Sequence, residues 1–75
     1  MTATARQPLV TDRYGIRTWD VTVTDKYEIS VRDDGYYGLY VLRVTLRTEE
    51  KPEIYTRRHG DLEALIFDAD SWARM

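Results

Sequence analysis

Between residues 16 and 48 the chain alternates apolar and polar side chains in three successive runs, and from 61 to 74 the period becomes helical. A period of two puts neighbouring side chains on opposite faces of a strand; a period near 3.6 gathers them along one stripe of a helix. The switch constrains the fold more than any other feature. It calls for a small α+β domain: an antiparallel sheet of three or four strands with one C-terminal helix packed on one face.

The first run sets Trp19, Val21 and Val23 against Asp20, Thr22 and Thr24, and Asp25-Lys26 makes a turn. The second sets Tyr27, Ile29 and Val31 against Glu28, Ser30 and Arg32. Residues 33–38 (Asp-Asp-Gly-Tyr-Tyr-Gly) form the next turn, where Gly35 and Gly38 supply positive φ at low steric cost. The third run places Tyr40, Leu42, Val44 and Leu46 on one face, with Val41, Arg43, Thr45 and Arg47 on the other. Pro52 ends a charged turn and confines the segment at 53–57 to an edge. Asp61 fits an N-cap, and Leu62, Leu65, Ile66, Ala69, Trp72 and Ala73 fall on one stripe. The expected core is Trp19, Val21, Val23, Ile29, Val31, Leu42, Val44, Leu46, Leu62, Leu65, Ile66 and Trp72. Residues 1–12 have no period and read as a flexible arm before a single domain over 13–75.

Composition narrows the chemistry. There is no cysteine and one histidine, so a disulfide scaffold, a thiolate metal site and a histidine cluster are excluded. No apolar run approaches the ~20 residues of a membrane span. The first ten residues lack the apolar centre of a secretion signal, so a cytoplasmic location and no membrane partner are expected. Seventy-five residues without a staple sit close to the stability threshold. A monomer or a homodimer is expected, with the edge at 53–57 or the outer sheet face as the self-contact. The carboxylates do not suggest a catalytic pair: Asp33 and Asp34 share a turn, and Asp68 and Asp70 diverge on a helix. No enzyme activity and no cofactor are expected.

Binding is the remaining class. On a helical wheel Phe67 falls among Glu63, Asp70 and Arg74, opposite the apolar stripe, which suits an anchor for a protein partner. Tyr36 and Tyr37 add rigid amphipathic side chains to a turn. The formal charge of −2 then favours a basic partner, such as a nucleic-acid-binding protein of a host. The alternative surface is the outer sheet face, where Arg32, Arg43, Arg47 and Arg57 offer planar donors to a nucleic-acid backbone. The acidic balance and the few aromatics there, Tyr55 aside, disfavour direct nucleic-acid binding. A homo-oligomeric assembly protein is the third reading.

Two resemblances are confined to outline. The order of strands then helix over 18–73 is similar to the arm-site DNA-binding domains of tyrosine recombinases, which are basic where this chain is acidic. The size and plan resemble those of small phage and mobile-element inhibitors of host defence proteins, anti-CRISPR proteins included. That likeness implies a protein acting by binding alone.

Overall fold

The computed structural model describes residues 6–35 and 38–75. Each polar break in the sequence becomes a chain reversal. The strands are β1 (Val10–Thr11), β2 (Arg17–Val23), β3 (Tyr27–Asp33), β4 (Tyr40–Leu46) and β5 (Glu53–His59), followed by helix α1 (Leu62–Ala73). They form one antiparallel sheet in sequence order, β1-β2-β3-β4-β5. The fold is α+β as expected. It has five strands because Val10 and Thr11, two residues too short to show a period, pair with Thr18 and Arg17.

Local chemistry sets the reversals. Asp12 Oδ1 accepts from the amides of Tyr14 and Ile16 at 2.8 and 3.0 Å, closing the β1–β2 loop. Gly15 sits there at φ 84°, a conformation that costs a side chain about 1 kcal/mol or more. Thr24 Oγ1 accepts from the Tyr27 amide at 3.0 Å in the β2–β3 turn. At the helix start, Asp61 caps as expected, accepting from the Glu63 amide at 3.1 Å. His59 Nδ1 accepts from the Asp61 amide at 2.8 Å, so the single histidine helps fix the strand-to-helix corner.

Helix α1 packs chiefly on β3, β4 and β5. Trp19, Ile29, Val31, Leu42, Val44, Leu65 and Ala69 are buried between helix and sheet. Tyr27, Tyr40, Tyr55, Leu62, Ile66 and Trp72 close the margins. Trp72 meets Tyr27 edge-on at 5.3 Å and Tyr55 at a tilt at 5.1 Å, and Trp19 meets Tyr40 edge-on at 6.0 Å. Such pairs add roughly 0.5–1.5 kcal/mol beyond area burial.

Two bulges overturn parts of the expected pattern. The β2–β3 register runs Thr18 to Arg32, then Asp20 to Val31, with an extra residue at Trp19. A single inserted residue exchanges the faces of everything beyond it. Trp19 stays in the core, but Thr22 now lies opposite Ile29 on the helix-covered face. Val21 and Val23, expected inside, turn to the uncovered face and are each 56% exposed. The second shift lies at Ile54 in β5. It leaves Tyr55 and Arg57 opposite Val44 and Leu42 on the helix side, and Thr56 and Arg58 on the uncovered side. Leu46 is half-buried at the end of β4. Val41, expected outside among arginines, is 2% exposed although it lies on the face away from the helix. Arg32 and Arg58 flank it in register, and their alkyl stems are long enough to cover it.

Candidate functional site

The outer helix face holds the clearest unshared apolar group. Phe67 is 76% exposed. Its neighbours Glu63 and Asp70 lie one turn to either side on the same face. Both are occupied. Arg6 forks onto Glu63, with Nε and Nη2 donating at 2.8 and 2.9 Å. The Arg6 hydrogen bond holds the Glu63 carboxyl below its ordinary pKa. Arg74 Nη2 donates to Asp70 at 2.6 Å. The face is thus an aromatic ring between two exposed ion pairs. The bare negative field expected from its sequence is locally balanced, which weakens steering toward a basic partner. Tyr36 and Tyr37 lie outside the described residues.

The uncovered sheet face carries Arg32 and Arg43 as expected, but not Arg47 or Arg57. Arg47 lies just past β4 and turns to the β2–β3 reversal, where Nη1 donates to the Thr24 carbonyl at 2.8 Å. Arg57 lies on the helix side because of the Ile54 bulge, and Nη1 donates to Asp68 at 3.2 Å. Tyr55 donates to the same Asp68 oxygen at 2.8 Å, and this bond, aided by burial, raises the pKa of its phenol. Tyr55 is therefore not a stacking platform on the open face. The cations that remain there are mostly paired: Arg43 with Glu53 at 3.2 Å, Arg58 with Asp34 at 2.9 Å and Lys51 with Glu28 at 3.5 Å. Among the described residues, Arg32 is the one outer-face arginine without an ion pair. A face so neutralised has few cations left to displace counterions from a phosphate backbone.

One cluster escaped the sequence reading. The Arg17 guanidinium lies 4.8 Å from the centre of the Trp19 ring and forks onto Asp33, with Nε and Nη2 donating at 2.8 and 3.1 Å. The Arg17 amide adds a third bond to Asp33 at 2.9 Å. The sequence signal was weak: an arginine two residues before a tryptophan, sixteen residues from its acid. Burial pushes the Asp33 carboxyl up, but the Arg17 hydrogen bonds outweigh it and the net pKa lies below the ordinary value. A lowered carboxyl stabilises the fold fully above its unfolded pKa, about 3.9, and the benefit fades as pH falls through the folded pKa. Acid titrations of unfolding should therefore show wild type losing stability below about pH 4 more steeply than Asp33→Asn. Parallel curves would remove Asp33 from that role.

Each remaining acid of the turn and helix also has a cationic partner, with Asp34 on Arg58 and Asp68 on Arg57. Among the described residues, no three His, Cys, Asp or Glu side chains gather as metal ligands, and no helix is long and apolar enough to cross a membrane. The chain matches no family model, no curated protein and no solved structure.

Proposed function

We propose that the protein works as a binding module for a larger protein, with the outer face of α1 as its contact and Phe67 as the anchor. The observation that carries this reading is a large aromatic ring 76% exposed on a helix whose other face already supplies the core. Aromatic anchors seated in a partner's pocket dominate many interfaces, while surrounding ion pairs exclude water and set orientation. The Arg6–Glu63 and Asp70–Arg74 pairs stand in that position around Phe67. The occupant implied is an apolar pocket with a mixed-charge rim. Inhibition of a host protein by a small phage or mobile-element accessory protein is the biological form this binding would take.

Phe67→Ala removes the anchor without opening the core. Exposed substitutions usually change stability by less than about 0.5 kcal/mol, whereas loss of an anchor costs about 2 kcal/mol or more of binding. A photo-reactive phenylalanine analogue at position 67 should crosslink one host protein, and a second at Glu50, in the distant β4–β5 turn, should not. Equal labelling from both positions would remove the helix face from the interface.

A further inference from the structure

The sheet has two unlike edges. β5 is one, and it displays Glu53, Arg57 and Arg58 just after Pro52, the kind of charge and proline that discourages strand addition. β2 is the other. β1 pairs only with Arg17 and Thr18, so beyond the bulge β2 has no paired strand on that side among the described residues. The open stretch, Asp20-Val21-Thr22-Val23-Thr24, carries one charge, and Val21 and Val23 are each 56% exposed on the uncovered face.

The direction of the free backbone groups follows from the ladder. The Thr24 amide donates to the Tyr27 carbonyl at 2.9 Å. Antiparallel pairs alternate between bonded and non-bonded, so Val23 opposite Glu28 is non-bonded, Thr22 opposite Ile29 is bonded, and Val21 opposite Ser30 is non-bonded. Val21 and Val23 therefore turn both amide and carbonyl toward the open edge. The residues with apolar side chains on the open face are the same ones whose outward backbone groups have no partner among the described residues.

We propose that this edge pairs with a second copy of the chain, antiparallel about a two-fold axis at Thr22. In that register Val21 lies opposite the partner's Val23 and exchanges both backbone hydrogen bonds with it. Thr22 meets the partner's Thr22 in a non-bonded pair, which is the phase the ladder already imposes. The side chains agree with the same register. Val21 and Val23 of both copies form one apolar strip on the uncovered face, and the single charge of the stretch, Asp20, meets the partner's Thr24. No like charges oppose each other, as a closed two-fold contact requires. The axis stands perpendicular to the sheet, so both helices lie on one side of a continuous sheet. Both Phe67 rings stay free, and the dimer presents them together.

The test is solution mass over a dilution series with paired charge variants. Wild type should move from 8.9 kDa toward twice that mass as concentration rises from about 10 μM to about 1 mM, the range for a short, weak interface. Val21→Lys/Val23→Lys sets ammonium against ammonium across the axis and should stay monomeric throughout. Val21→Glu/Val23→Lys removes the same valines but sets carboxylate against ammonium twice, and should dimerise again. Both positions are exposed, so melts of dilute samples should match wild type. Amide exchange of wild type at high concentration should slow at Val21 and Val23. The proposal is overturned if wild type is monomeric at about 1 mM. It is overturned equally if Val21→Lys/Val23→Lys associates like wild type, or if the two double variants behave alike. Protection of the Val21 and Val23 amides at every dilution would also overturn it, since the edge would then be covered from within the chain.

Discussion

Trp19→Ala is expected to be among the most damaging single substitutions in this chain, costing about 3–5 kcal/mol. Trp19 is 7% exposed at the β2 bulge, packs edge-on against Tyr40 and lies under the Arg17 guanidinium. Truncation removes its buried area and opens a void beneath the helix. It also strips the ring from beneath Arg17, which loosens the fork onto Asp33. Domains of this size have about 4–11 kcal/mol of total stability, so the loss is a large part of the whole. Chemical denaturation should show a midpoint far below that of wild type, or no folded baseline. Trp19→Phe should recover part of the loss, because an aromatic ring still fills the site. A midpoint close to wild type for Trp19→Ala would show that the bulge does not seat this ring in the core.

Leu65→Ala should cost about 2–5 kcal/mol by a different route. Leu65 is 0% exposed on the inner stripe of α1, in one cluster with Ile29, Val31, Leu42 and Val44. Alanine keeps the helix propensity, so the loss comes from packing and from the cavity left behind. For a domain of this length each kcal/mol lowers the melting temperature by roughly 4–8 °C, so a fall of more than about 8 °C is expected. Helical signal should vanish together with sheet signal, because the helix has no other apolar surface to pack on. A helix that melted separately from the sheet would contradict the single shared core.

Much of the architecture could be read from period alone, because the helix stripe and β3 each bury one clean face. Asp61 as cap and Gly35 and Gly38 at positive φ followed from local chemistry, and the structure places them so, with φ of 83° and 61° for the glycines. The misplacements of Val21, Val23 and Arg57 have one cause. A bulge adds a residue without disturbing the alternation of letters, so Trp19-Asp20-Val21-Thr22-Val23 reads the same whether Val21 faces in or out. One extra residue at Ile54 likewise decides that Arg57 serves the helix and Arg58 the open face. Val41 beside Leu42 carried a hint, since adjacent apolar residues on a strand require cover on both faces. Phe67 was placed correctly by the helical wheel. The partner of Glu63 was not legible in the sequence, because Arg6 lies 57 residues away and no local rule joins them, whereas Arg74 follows Asp70 at the i, i+4 spacing of a helical ion pair.

Phe67 is expected to be spare to the fold and central to binding, and paired melts and host-lysate crosslinking of wild type and Phe67→Ala test both halves together. With the photo-reactive group moved to the adjacent exposed helix position Ser71, Phe67→Ala should melt within about 3 °C of wild type. The yield of crosslinked partner should drop at least about tenfold. A melting temperature lowered by more than about 8 °C would make Phe67 part of the core, and undiminished crosslinking at an unchanged melt would show that Phe67 is not the anchor.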